Sequence, residues 1–210
     1  PELYDRTIGY WSFDEGQGSV AYDGTANDND GYLQNGPAWV ETEYKHALLF
    51  DGNDDYVEVD DSDDFDIENI TIELWLKFNE IPTDADQKLV SKSSQFQLVY
   101  NASEEQLTFG LWGDRAYSNH SSWNTGKWYH IVVTFDDSAD TAEFYINGVK
   151  DATDTDVTES IDPSSYALLF GDGMHGIIDE LYIHDTILTA DEIYDSYRNH
   201  SKSPKIYVTA

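Results

Sequence analysis

In one short segment after another, apolar side chains alternate with polar ones. Residues 71–78 set Ile72, Leu74, Leu76 and Phe78 on one side, and residues 95–100 do the same with Phe96, Leu98 and Tyr100. Leu107, Phe109 and Leu111 repeat the pattern in residues 106–112, Ile131, Val133 and Phe135 in 131–135, and Ala142, Phe144 and Ile146 in 142–146. A period of two belongs to a strand with one buried face. The polar stretches between carry turn chemistry: Asn147-Gly148 predicts a tight hairpin turn, and the Asp-rich residues 136–140 predict a hairpin loop. The chain is therefore expected to be all-β, a two-sheet antiparallel sandwich or a barrel. One helix is expected. Thr189-Ala190-Asp191-Glu192 reads as a capping box, with Ile193, Tyr194 and Tyr197 facing the sandwich.

The run Gly176-Ile177-Ile178-Asp179-Glu180-Leu181-Tyr182-Ile183 also reads as a strand. Strict alternation puts Ile177, Leu181 and Ile183 on one face with Asp179 among them. Burying a carboxylate there costs several kcal/mol, to order of magnitude, unless a partner or metal offsets the lost hydration. Two upstream segments open from a short apolar strand into loops of Asp, Asn and Gly. One runs from Trp11 to Gly16 and on through Asp23, Asn27 and Gly31; the other is Leu48-Leu49-Phe50-Asp51-Gly52-Asn53-Asp54-Asp55. Oxygen-rich loops of this kind suit a hard cation such as calcium. The EF-hand spacing fails in both, so a calcium site would have to be assembled from distant parts of the chain.

With these residues in view, the chain resembles the concanavalin A-like, laminin G-like jelly-roll domains. The resemblance rests on Trp11-Ser12-Phe13-Asp14-Glu15-Gly16, on Asp23, Asn27 and Gly31, and on Leu49-Phe50-Asp51-Gly52 followed by Asp55-Tyr56-Val57. Residues 71–77, 126–136, Phe144-Tyr145-Ile146-Asn147-Gly148, 176–183 and 188–193 continue it in order, so that it covers about residues 8–198. It implies two face-to-face antiparallel sheets in a jelly-roll sandwich with one short C-terminal helix. It also implies one calcium ion at the rim, with Asp23, Asn27, Asp51 and Asp179 as ligand candidates. Thr25-Ala26 stands where the family commonly has Ser-Gly. Residues 1–200 are read as one such domain, and 201–210 as a tail or linker to a following module.

Charge narrows the partners. Asp and Glu number 42 against 11 Lys and Arg, a net charge of −31. Such a surface repels nucleic acid and anionic lipid, and no apolar run is long enough to span a membrane. The 14% aromatic content and the regular alternation argue for a folded chain. We read the charge as adaptation to high salt, where the Debye length falls to about 3 Å at 1 M. There is no cysteine, which excludes disulfides, thiol catalysis and zinc–thiolate sites. Sequons at Asn69, Asn101, Asn119 and Asn199 and the start at Pro1 fit a module from an extracellular or cell-surface protein.

Among function classes, catalysis has the least support. Retaining glycoside hydrolysis needs two carboxylates about 5 Å apart. Centring such a pair on Asp179 meets Ile177 and Tyr182, and Glu180 points to the other face of a regular strand. The six histidines show no zinc-ligand spacing. A sugar site would be sought around Trp112, Arg115, Tyr117, His120 and Trp123, where aromatic faces and polar groups cluster. The expected function is a noncatalytic, calcium-containing binding domain for glycan or a cell-surface protein. The alternatives are a glycoside hydrolase-like enzyme and a structural spacer.

Overall fold

The computed structural model describes residues 6–43 and 45–199; the expected tail at 201–210 lies outside the described residues. Two antiparallel eight-stranded sheets pack face to face. The first runs β14 (Val149–Asp154), β13 (Thr141–Ile146), β12 (Trp128–Asp136), β7 (Ile70–Phe78), β16 (His175–His184), β5 (His46–Asp51) and β4 (Ala38–Glu41), with β1 (Thr7–Trp11) pairing β16 at its far end. The second runs β11 (Arg115–Tyr117), β10 (Gln106–Gly110), β9 (Phe96–Asn101), β8 (Gln87–Lys92), β15 (Leu168–Phe170), β6 (Tyr56–Val59), β3 (Gly31–Gln34) and β2 (Val20–Ala21). This is the jelly-roll sandwich, with the single helix α1 (Ala190–Asn199) near the C-terminus.

The inner faces hold the expected side chains. Ile72, Leu74, Leu76 and Phe78 of β7 join Leu98 and Tyr100 of β9, Leu107 and Phe109 of β10 and Phe135 and Phe144 of β12 and β13 in one core. Each buried aromatic removes roughly 150–250 Å² from water, so these rings dominate the packing. Asn147 and Gly148 both take positive φ (53° and 75°), which lets a two-residue turn match the twist of β13 and β14. Residues 136–140 form a 3-10 turn, with Asp136 capping it from the side chain.

Three local readings change. β10 ends at Gly110, because Leu111 N–H bonds back to Asp114 C=O and turns the chain, so Trp112 sits in a turn. In α1, Thr189 and Glu192 do form the capping box, with Thr189 N–H donating to Glu192 at 2.8 Å. Ile193 is buried against Leu188, Val132 and Tyr145, and Tyr197 stacks on Trp75, but Tyr194 is exposed, since one residue's step of about 100° carries it off the packed face.

The third change concerns β16. Its pairing with β7 slips between Asp179 and Tyr182, and Glu180 has φ of +49°. This bulge resets the alternation. Ile178, Leu181 and Ile183 enter the inter-sheet core, whereas Ile177 does not. Asp179 pairs with Trp75, and cross-strand partners share a face, so it lies on the outer face of the sheet. The grouping of Asp179 with Leu181 and Ile183 is thereby corrected. The expectation of a buried acid holds: Asp179 is 1% exposed.

Candidate functional site

On the outer face of the second sheet lies an open cleft of about 470 Å³. Alternation in β8 and β9 turns Ser91 and Gln97 away from the core, while Val90 and Leu98 turn into it. Gly110 of β10 forms part of the lining, and a Cβ there would stand 3.1 Å from Gln97 Nε2, so glycine keeps the cleft open at that point. Trp112, in the turn after β10, and Tyr166, before β15, also line the cleft and are 76% and 58% exposed. Tyr22 is as exposed (60%) elsewhere, so what sets these two rings apart is their shared place at the cleft.

Lys92 explains how Tyr166 is held. Its side chain is fully buried, and Nζ donates to Asp61 Oδ1 (2.6 Å), Ser164 C=O (2.6 Å) and Tyr166 C=O (2.7 Å). A lysine this deep is tolerated because each donor finds an acceptor. It acts as a clamp on residues 164–166. Lys88, also lining the cleft, pairs with Asp172 at 2.7 Å and remains half exposed.

The five residues expected to bind sugar do not gather at one point. Trp112 lines the cleft. Arg115 and Tyr117 point outward from edge strand β11, beside Gly110 and Thr108. Arg115 Cγ lies 3.7 Å from a Cβ placed on Gly110, so its stem flanks the cleft. Trp123 belongs instead to the core edge, 8% exposed and packed on Phe78 and Tyr129, with its indole N–H given to Glu105 C=O. His120 packs edge-on against Trp123 at 4.5 Å. Sequence reasoning missed Lys88, Ser91, Lys92, Gln97 and Tyr166. A signal was present: residues 87–103 contain no Asp or Glu, in a chain where acids make up 42 of 210 residues.

The four calcium candidates are also spread out. Asp51 pairs with His175 at the start of β16, whereas Asp23 bridges Trp11, which pairs with Leu181. Six residues of strand separate those points, roughly 20 Å at 3.3 Å per residue. Asp23 already accepts from Tyr10 N–H, Thr25 N–H, Thr25 Oγ1 and Asn29 N–H, which staples its loop. Asn27 gives its amide to Ile8 C=O. These donors occupy the Asp23 oxygens, so the set of four does not fit one calcium ion. Asp51, Asp54 and Asp55 do each offer a carboxylate oxygen, all within 4.8 Å of one another. Burial, opposed by the Asp51 N–H but reinforced by the charges of Asp51 and Asp54, raises the Asp55 carboxyl above its ordinary range.

The outer face of the first sheet is closed and holds several buried titratable side chains. Glu73 of β7 accepts from buried Ser196 of α1 and lies 2.9 Å from His130 Nε2. Burial alone would raise its carboxyl; the hydrogen bonds from His130 and Ser196 outweigh that and hold it low. His184, within hydrogen-bond distance of Thr7 Oγ1 (3.1 Å), is pushed down to about 4 by burial, with Arg6 adding to the effect and Glu73 and Glu192 opposing it. The bulge in β16 sends the Glu180 carboxylate to the same side, where it accepts from Tyr10 (2.6 Å) and Tyr182 (3.3 Å). The expected separation of Asp179 and Glu180 onto opposite faces therefore does not occur, because it assumed a regular strand.

The two face-to-face sheets define the class as a jelly-roll domain. The sequence of residues 51–194 matches the family model described as the concanavalin A-like lectin/glucanases superfamily, and the chain belongs to that family. A search of curated proteins found no match. Among solved structures the chain is similar to the binding domain of Paraclostridial Mosquitocidal Protein 1 (15% identity, TM-score 0.76, covering 94% of this chain and 53% of that one). It is also similar to the botulinum neurotoxin serotype D ligand-binding domain in complex with N-acetylneuraminic acid (14%, 0.73, 94% and 52%). A third likeness is to Trypanosoma rangeli sialidase with the inhibitor DANA (16%, 0.68, 90% and 32%). The chain spans about half the length of the two toxin domains. At these identities the likeness is one of fold.

Proposed function

We propose that this domain binds glycans, without catalysis, in the cleft on the outer face of the second sheet. The observation that carries the reading is the exposure of Trp112 and Tyr166 beside a polar lining of Ser91, Gln97 and Lys88. Aromatic faces offer stacking area to sugar rings, and hydroxyl, amide and ammonium groups match sugar hydroxyls as donors and acceptors. The volume falls within the usual range for small-ligand sites, about 300–1,000 Å³. A hydrolase using two carboxylates has no support here, since none of the described residues lining the cleft is an acid. The ligands named for the neighbouring toxin domains fit a glycan partner.

Extracellular placement and a high-salt habitat belong to the same proposal. Calcium does too, with Asp51, Asp54 and Asp55 as its carboxylates, steadying the loop after β5. The charge of −31 implies that the melting temperature falls when salt drops from about 1 M to about 10 mM; a melting curve indifferent to salt removes the halophile reading. The test of the main proposal is a glycan-array screen in molar salt with the wild type, Trp112→Ala and Tyr166→Ala. Selective binding that both variants lose supports it, and binding that survives both places the site elsewhere.

A further inference from the structure

The cleft differs in charge from the rest of the molecule. One residue in five of the chain is acidic, 42 of 210, yet no described residue lining the cleft is Asp or Glu. Glu58, cross-strand from the lining residue Leu169, and Glu159, 3.9 Å from a Cβ placed on Gly113, stand at its rim, while three further acids are engaged. Asp172 is held by Lys88, Asp61 by Lys92, and Asp114 by Thr158 N–H at 2.9 Å. Arg115, one of three arginines in this chain, flanks the cleft at the lining glycine Gly110, its Cγ 3.7 Å from a Cβ placed there, and its guanidinium enters no ion pair among the described residues. Lys88 sits in a half-exposed pair of a kind that contributes little, about 0–1 kcal/mol, and can exchange its carboxylate partner readily.

Resting on the glycan-binding reading, we infer that the cleft selects an anionic saccharide, one carrying a carboxylate or a sulfate, and that Arg115 is its selectivity residue. Guanidinium meets either group through two parallel N–H···O bonds, a charge-assisted contact stronger than a neutral one. Excluding acids from the lining removes the short-range repulsion that the rest of this surface would impose. The long-range field of −31 charges still opposes an anion. That field fades when the Debye length shrinks to about 3 Å near 1 M salt, and an Arg115 contact at hydrogen-bond distance is weakened less than the sum of the more distant charges. Anion capture here is therefore strengthened by salt, opposite to the usual behaviour of a basic site.

The test uses matched probes in about 1 M NaCl: oligogalacturonate against its methyl ester, and dextran sulfate against dextran, each titrated into the wild type, Arg115→Gln and Trp112→Ala. We expect one charged probe to bind at least about tenfold tighter than its neutral twin. That ratio should collapse toward one in Arg115→Gln, and all binding should be lost in Trp112→Ala. Preference for galacturonate assigns a carboxylate ligand, and preference for dextran sulfate assigns a sulfate. Equal binding of charged and neutral twins, lost in Trp112→Ala, overturns the anionic assignment and leaves the glycan site standing. Binding indifferent to Trp112→Ala overturns the site itself, and binding of no probe overturns the assignment.

Discussion

On the outer face of the first sheet, ionisable groups are buried and bound to one another beneath a helix. On the outer face of the second they are sparse, and the polar groups that remain line an open cleft. The inner faces of both sheets obey the same alternation, so the contrast comes from what lies over each outer face. Helix α1 sits over Trp75, His130 and Glu73, and every charge it covers has to be matched. In the cleft Gln97 is only partly buried and Lys88 is exposed, so their hydrogen-bonding capacity can be spent on a ligand. The first face is closed by its own residues, and the second stays open to solvent at the cleft.

Removing a charge on the closed face should therefore have the largest effect. Glu73→Ala leaves His130 and Ser196 buried without their shared acceptor. Breaking a buried pair on one side costs about 3–5 kcal/mol, measurable by denaturant unfolding. A loss under about 1 kcal/mol would show that the network is incidental to stability, because that is the range of exposed pairs. His184 comes next. Its folded value of about 4 lies below the ordinary 6.5, so the unfolded chain takes up the proton first as pH falls. The stability it supports is complete above 6.5 and is lost as pH falls toward 4, a drop of at most about 3 kcal/mol at 1.36 kcal/mol per unit. His184→Gln should flatten the stability-against-pH profile in that window, compared with wild type at each pH. Parallel profiles would mean that His184 titrates normally.

Much of the sandwich was legible in the sequence, because alternation depends only on which side chains avoid water. Ile72 through Phe78 and Leu107 through Phe109 needed no further information. The helix start was equally plain, since a capping box is local. The outer faces were not. Bulges are invisible to strict alternation, so the slip at Glu180 displaced Asp179 by a face. Trp123 and His120 looked like site residues because tryptophan and histidine serve both cores and ligands, and only packing on Phe78 and Tyr129 separates the two uses. Tyr166 and Gln97 line one cleft through the sheet pairing of β15, β8 and β9, a long-range arrangement that no window of sequence displays. The acid-free stretch 87–103 was visible, but it gains meaning only once the cleft shows where those residues face.

The open face should yield the smallest stability change of all. Trp112 is 76% exposed in a turn, and its replacement by Ala should shift unfolding free energy by no more than about 0.5 kcal/mol, as for other surface changes. Lys92→Met lies between the extremes, because Lys92 is buried yet serves the open face. Losing its donors leaves Ser164 C=O and Tyr166 C=O unsatisfied, at about 1–3 kcal/mol, and frees the segment bearing Tyr166. The two variants together separate holding from binding. If Trp112→Ala lowers glycan affinity at constant stability while Lys92→Met lowers both, the aromatic side chains are the contact and the lysine is their support. A Trp112→Ala domain that unfolds as easily as Lys92→Met would instead make Trp112 a packing residue, and the open face would lose its claim to be shaped for a ligand.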